Sequence, residues 1–224
     1  YVTGALLSSP NPQPSRFYKE RLVRLLPSYW TVAALAAAIW FFLAPQSNFL
    51  SRSPALSDWI ANATVIPLNY YMWSEQDRFT LLPPTWSLGL EMQFYLAAPL
   101  LLLRSDRPTI TGKPHPWLIS AFLLSATFYL VASLPTIMDA DIFGYRLLPG
   151  VLWIFLAGIF LQRRHYKLAI AGFCIAVASL ISIALKLAPM RPFNVETAAG
   201  VAIGIPLVAS LARIRRREFD EFLG

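Results

Sequence analysis

The sequence predicts an all-α, polytopic transmembrane helix bundle, and three observations support this class. First, 56% of the 224 residues are hydrophobic, 14% are charged and the mean hydropathy is +0.52, which is too apolar for a soluble domain of this length. Second, long windows almost free of charge recur along the chain. Third, the basic residues follow an alternating pattern. No repeat or soluble module interrupts these windows, so we expect one membrane domain over residues 1–224.

Six complete spans are predicted, each close to the ~20 residues that cross a hydrocarbon core. They are residues 25–50, 86–103, 117–138, 147–162, 168–185 and 197–212. Residues 1–8 look like the end of an earlier span, since the chain begins without Met or a charged leader. The acidic and aromatic stretch before Gly224 has no apolar partner after it. We therefore expect a piece of a longer protein, truncated at both ends.

The lysines and arginines predict the orientation in the lipid bilayer. Fourteen of the 19 lie in the alternate connections 9–24, 104–116, 163–167 and 213–224, and connections of this kind face the cytoplasm. The net charge of +7 thus reflects topology, and nucleic acid is not an expected partner. Cys174 is alone, which excludes an internal disulfide, and we expect it to pack in the core. Neither His115 nor His165 has further ligands at metal spacing, so no metal site is predicted.

The first span is preceded by an amphipathic helix over residues 16–26, with Pro27 expected to mark a bend into the membrane. Arg21 and Arg24 are three residues apart and leave one face of this helix. Paired guanidinium groups can bind phosphate oxygens in a bidentate manner. On spacing alone, contact with lipid headgroups or a role in topology is the favoured interpretation.

The long outer connection, residues 44–84, is predicted to contain a short helix over 59–68. Its aromatic residues form either a wall for an acceptor sugar or an ordinary interfacial belt, and the belt is favoured. These residues are Phe49, Trp59, Tyr70, Tyr71 and Trp73.

The next span carries the most informative residue, Glu91, several positions inside an apolar window. An ionisable group at membrane depth is costly and is functional by default; the alternative is a polar contact that joins two helices. Ser87 lies four residues earlier on the same helical face, so we expect it to hydrogen-bond Glu91. Arg146 begins a later span on the same membrane side and is a candidate ion-pair partner. Close helix contacts are expected at Gly158, Gly172, Gly200 and Gly204.

Several motifs together resemble one family, the integral-membrane acyltransferase 3 family of bacteria. The run WSLGLEMQFYL at 86–96 is similar to its tryptophan-serine-leucine, glutamate, phenylalanine-tyrosine-leucine pattern. The run FYKERLVRLLPSYW at 17–30 resembles its arginine-x-x-arginine motif before a proline and aromatics. Residues 2–4 look like the end of its second span, and 146–158 like its arginine-led span that ends in glycine. The order and spacing hold along nearly the whole chain.

The resemblance implies a multi-pass enzyme of the bacterial inner membrane that transfers an acyl group, expected to be acetyl, to a hydroxyl of an extracytoplasmic carbohydrate or envelope glycan. Acyl-CoA is the implied co-substrate, with no bound cofactor. It implies a catalytic role for Glu91 and Ser87, binding of the acyl-CoA phosphates by Arg21 and Arg24, and support from Arg146, Trp86 and Tyr95. The family has ten spans, and its histidine lies on the first. This fragment holds part of the second to the eighth, so we expect it to be inactive alone.

Two other classes remain open. A buried acid in a basic multi-span bundle also suits a transporter of a lipid-linked sugar, although no internally repeated broken helices are visible. A membrane scaffold without catalysis is favoured only if the preceding span lacks its histidine.

Overall fold

A computed structural model describes residues 14–43, 47–74, 78–103, 114–134, 138–188, 190 and 192–213. The predicted span end at 1–8, the cytoplasmic stretch 104–113 and the residues after 213 lie outside this part. Within it the chain forms helices and no named strand, with one isolated β-bridge between Leu50 and Phe79. The all-α class is confirmed.

The helices are named in chain order. They are α1 (Pro14–Leu43), α2 (Leu56–Thr64), a 3₁₀ helix (Ile66–Tyr70), α3 (Tyr71–Ser74), α4 (Thr85–Leu103), α5 (Pro116–Ala132), a π-helical segment (Ala140–Arg146), α6 (Leu148–Gln162), α7 (Tyr166–Ala184) and α8 (Pro192–Arg213).

Each of the six predicted spans corresponds to a helix, but not all six have the length and hydropathy of a membrane span. Four segments of the described chain do: Pro14–Leu43, Ala140–Gln162, Tyr166–Ala184 and Asn194–Leu211. The apolar helix α5 has only 17 residues. In α4, Glu91 and Gln93 lower the mean hydropathy. The molecule is a membrane protein, with four of the predicted spans supported on these criteria.

Helix α1 continues through Pro27, so the predicted lead-in helix and the first span form one helix and not two. The helix has 30 residues with Pro27 in its interior. Two side chains bond carbonyls around this point: the Ser28 hydroxyl donates to the Leu25 carbonyl at 3.0 Å and the Thr31 hydroxyl to that of Pro27 at 2.8 Å. The amphipathic start of α1 and its apolar remainder are therefore one continuous helix.

The core lies among α4 to α8, where α5 packs along α6 and α7 along α8. Trp153, Tyr129, Phe122 and Phe160 are fully buried in it. In contrast, large apolar side chains such as Phe42, which is 79% exposed, cover the outside of the bundle. An exterior covered by apolar side chains is the surface expected of a helix bundle that is surrounded by lipid.

The small residues predicted to make close contacts between helices differ in what surrounds them. A Cβ added at Gly172 would lie 3.0 Å from the Ala157 Cβ, so α7 does approach α6 closely there. At Gly200 and Gly204, no heavy atom lies within 4 Å of an added Cβ in the described chain, and the predicted close contact at these two glycines is wrong. Cys174 is exposed on α7 and not in the core as expected.

The outer connection is an ordered structure fixed to α1. In place of one helix over 59–68, it contains α2 and the 3₁₀ helix, joined at Val65. The buried Asn62 amide donates to the carbonyls of Asp58 and Phe79 and accepts from the Leu81 N–H. Its own carbonyl accepts from the Tyr29 hydroxyl at 2.6 Å. These bonds join the two halves of the outer connection and fix it to α1.

Candidate active site

A cavity of about 440 Å³ lies among α1, α4 and α6. It brings together Glu91 from α4 and both Arg21 and Arg24 from α1. The remaining lining residues are Leu25, Phe94, Tyr95, Ile154, Phe155, Gly158 and Ile159. The carboxylate and the paired arginines, separated by 67 residues or more in sequence, therefore face one space.

The two arginines occupy different depths in this cavity. Arg21 is 7% exposed. Its guanidinium carbon lies 5.2 Å from the Tyr95 ring centroid and 5.7 Å from that of Phe17, and its Nε has no hydrogen-bond partner among the described residues. Arg24 is exposed. Arg21 thus supplies a desolvated positive charge held by aromatic faces, and Arg24 supplies one at the edge.

Glu91 has Tyr95 as its partner, and the prediction that Ser87 would bond Glu91 is wrong. The Tyr95 hydroxyl donates to Glu91 Oε1. The Ser87 hydroxyl donates instead to the Pro84 carbonyl at 2.8 Å, and Ser87 is exposed and absent from the cavity lining.

Side-chain direction explains this choice of partner. Side chains in an α-helix lean towards its N-terminus, so Tyr95 reaches back over Glu91 while Ser87 leans away from it. A serine in the first turn also bonds readily to a nearby backbone carbonyl. The i+4 spacing from Glu91 to Tyr95 was visible in the sequence and was the better signal.

A second cavity of about 320 Å³ lies at the N-terminal end of α4. Its lining includes Trp86, Tyr71, Arg146 and Phe49, with Leu68, Thr80, Pro83 and Pro84 completing it. The Arg146 guanidinium carbon lies 4.7 Å from the Trp86 ring centroid and 5.2 Å from that of Tyr71. The cavity thus combines aromatic faces with a cation.

Arg146 forms its ion pair with an acid other than the predicted Glu91. Its Nε donates to Asp141 Oδ2 at 3.0 Å, and both belong to the π-helical segment. Arg146 therefore ends this segment, two residues before α6, and does not begin the helix as predicted. Asp141 lies at the i−5 spacing of a π-helix, and it was not predicted as the partner because π-helical segments have no clear sequence pattern.

The aromatic residues of the outer connection divide between the two interpretations. Phe49 and Tyr71 line the second cavity. Trp59 packs instead against Trp40 and Phe79. Tyr70 stacks on Trp73, and its hydroxyl donates to Gln93 Oε1 at 2.6 Å, which ties the 3₁₀ helix to α4. Two of the five aromatic residues considered for an acceptor-binding wall therefore line the second cavity.

Helix α4 connects the two cavities. Trp86 lines the second and Glu91 the first, and five residues of α-helix separate them by roughly 7.5 Å along the axis. Gly89, between them, allows this helix to press against the outer connection, because an added Cβ would lie 2.9 Å from the Val65 carbonyl oxygen.

No group of three or more potential ligands for a metal occurs among the described residues. His165 lies in the connection between α6 and α7, where burial and the charge of Arg163 lower its pKa. It is therefore neutral at pH 7, and it is half-buried.

Comparison with known proteins adds a family to this geometry. A family described as "Acyltransferase domain" (Acyl_transf_3) matches residues 1–212. An uncharacterized protein of Aquifex aeolicus is 34% identical over 152 residues, which is 64% of this chain and 64% of that protein. The match thus covers less than two thirds of the relative's length. No solved structure matches the chain.

Proposed function

The chain belongs to the acyltransferase 3 family, and on this premise we propose that the complete protein moves an acyl group from cytoplasmic acyl-CoA to a hydroxyl of an extracytoplasmic carbohydrate. The observation that carries the proposal is the single cavity shared by Glu91, Arg21 and Arg24. A carboxylate for proton transfer and two cations for a phosphorylated donor are the groups that this reaction needs. The proposed location is the bacterial inner membrane.

The first cavity is the proposed donor site. The basic start of α1 lies on the cytoplasmic side by the distribution of Lys and Arg, so CoA would enter the cavity from that end of the helix. The guanidinium groups of Arg21 and Arg24, which both line the cavity, would bind phosphate oxygens. Gly158 has no side chain and leaves space opposite for the thioester.

The second cavity is the proposed acceptor site. Sugar rings stack on aromatic faces, and Trp86 and Tyr71 offer such faces at the outer end of α4. Arg146 is already held between these rings and Asp141, so it needs little rearrangement to bind an acceptor oxygen. Of the predicted supporting residues, Arg146 and Trp86 would act here and Tyr95 at the first cavity.

In the proposed reaction the acceptor hydroxyl oxygen attacks the thioester carbonyl carbon. The C–S bond breaks, CoA leaves as the thiolate and the hydroxyl proton passes to a base. Glu91 would accept this proton or orient the histidine that the family resemblance assigns to the preceding span. A covalent acyl-Ser87 intermediate receives no support from the geometry, because the Ser87 hydroxyl is turned to Pro84.

The test is Glu91→Gln in the complete protein, made in cells whose surface glycans are analysed by mass spectrometry. We expect the acyl mass to disappear while the protein still inserts and accumulates in the membrane, because glutamine keeps the shape but loses the charge. The matched control is Glu196→Gln, an exposed acid on α8, which should leave acylation intact.

Retention of the acyl mass in Glu91→Gln would remove Glu91 from the mechanism. Loss of the whole glycan, with no change in acylation of what remains, would instead support the transporter of a lipid-linked precursor.

A further inference from the structure

We propose that a third, apolar cavity between α1 and α4 receives the acyl chain of the donor and limits it to a short chain; this inference rests on the proposed function. The cavity has a volume of about 120 Å³. Its aliphatic lining consists of Leu22, Leu25, Leu26, Ile66, Met92 and Leu96.

The third cavity adjoins the donor cavity. Both are lined by Arg21, Leu25 and Tyr95. A thioester carbonyl placed beside Glu91 and Tyr95, with CoA extending to Arg24, leaves its acyl carbons directed to this shared wall. The bond from Tyr95 to Glu91 marks where the polar cavity ends. The acyl chain is the only part of the donor whose transfer from water into a cavity with this aliphatic lining is favourable.

The volume sets the length of the chain. A water-sized group occupies about 30 Å³ in a liquid, so this space holds roughly four carbon-sized groups. Acetyl and butyryl groups place one and three carbons beyond the carbonyl and fit. A hexanoyl group places five there and exceeds the space. Each additional methylene buried strengthens binding about fourfold, until the wall is reached.

Met92 and Leu26 are the residues that set this wall. Met92 is adjacent to Glu91 in sequence and is half-buried, as is Leu26. Met92→Ala removes three heavy atoms and should make room for two further carbons. Leu26→Phe adds bulk from the opposite helix and should shorten the accepted chain. Leu100→Ala on α4 is the control, because Leu100 is 74% exposed and lines none of these cavities.

The experiment measures displacement of labelled acetyl-CoA from the purified, complete protein by butyryl-CoA, hexanoyl-CoA and free CoA. In the unchanged protein we expect butyryl-CoA to bind more tightly than acetyl-CoA, and hexanoyl-CoA to lose that advantage. Met92→Ala should raise the affinity for hexanoyl-CoA relative to acetyl-CoA roughly tenfold. Leu26→Phe should lower the affinity for butyryl-CoA at least fourfold. Leu100→Ala should have the same relative affinities as the unchanged protein.

Two failures are distinguishable. If labelled acetyl-CoA does not bind at all, the proposed donor site is wrong. In the second case labelled acetyl-CoA binds and requires Arg24, but Met92→Ala, Leu26→Phe and the unchanged protein rank the acyl-CoA chain lengths in the same order. The third cavity then does not receive the acyl chain, and it holds a bilayer lipid or another part of the protein.

Discussion

The Tyr95 ring separates the Glu91 carboxylate from the Arg21 guanidinium: its hydroxyl donates to Glu91, and its ring centroid lies 5.2 Å from the Arg21 guanidinium carbon. One side chain thus positions both charged groups of the first cavity. Because Arg21 is buried, this arrangement holds a cation beside an acid without their being in direct contact. Tyr95 is therefore expected to be a positioning residue of the site.

Tyr95→Phe tests this role. Phenylalanine keeps the ring beneath Arg21 but removes the hydrogen bond to Glu91, and bonds to charged groups contribute about 1.5–3 kcal/mol. We expect acyl transfer by the complete protein to fall roughly 10- to 100-fold, with the affinity for acyl-CoA nearly unchanged. Steady-state kinetics that separate kcat from KM measure both effects.

The control for this variant is Tyr166→Phe, at an exposed position at the start of α7, which should leave both constants unchanged. A rise in KM for acyl-CoA with kcat preserved would assign Tyr95 to donor binding and not to the positioning of Glu91.

Arg24→Gln should weaken binding of acyl-CoA and leave the rate of the acyl-transfer step unchanged. Arg24 is exposed at the cavity edge, so its removal costs a charge-assisted contact to phosphate without leaving a buried group unpaired. We expect KM for acyl-CoA to rise about tenfold and kcat to change little. The effect should be larger at low ionic strength, since exposed charges are screened by salt.

Lys19→Gln provides the comparison, because Lys19 is an exposed cation on the same helix that does not line the cavity. Equal increases in KM for the two variants would mean that the basic helix attracts CoA by its overall charge, and that Arg24 has no specific contact.

Much of the fold was predictable because a membrane permits few structures. An apolar window must be a helix to satisfy its backbone, so windows around Leu147 to Gln162 and Leu168 to Leu185 identified α6 and α7 to within three residues. The continuous helix through Pro27 was not predicted, because a proline more often ends or kinks a helix, and whether a membrane helix continues through it depends on its surroundings. The predicted close contacts at Gly200 and Gly204 were wrong for a related reason. A Gly-x-x-x-Gly spacing identifies one face of a helix but does not show which element packs against that face.

The candidate site was predicted in part. Glu91 was identified by the cost of its position, and the three-residue spacing of Arg21 and Arg24 placed them on one face. The structure brings all three to one cavity, and their roles stay predictions. The partners were not predictable. Ser87 and Arg146 are on the correct helices, but the first turn of α4 and a π-helical segment redirect their side chains to Pro84 and Asp141. Neither feature has a clear sequence signature.

Gly150 and Gly200 provide a matched pair of substitutions that tests the packing of the bundle. At Gly150, where the π-helical segment meets α6, an added Cβ would lie 2.0 Å from the Phe143 carbonyl oxygen and 3.0 Å from the Gly144 Cα. These are backbone atoms, so Gly150→Ala must displace the segment that carries Arg146. Overpacking of this kind costs about 3 kcal/mol or more.

At Gly200 no heavy atom of the described chain lies within 4 Å of an added Cβ, so alanine should fit and favour the helix by about 1 kcal/mol. We therefore expect Gly150→Ala to lower the melting temperature of the complete protein and to weaken acylation, and Gly200→Ala to leave acylation unchanged and the melting temperature equal or higher. Thermal unfolding in detergent, with glycan mass analysis on the same cells, measures both. Equal tolerance of the two substitutions would show that α6 does not join the π-helical segment as described, because only a rearranged junction could accommodate a methyl group at Gly150.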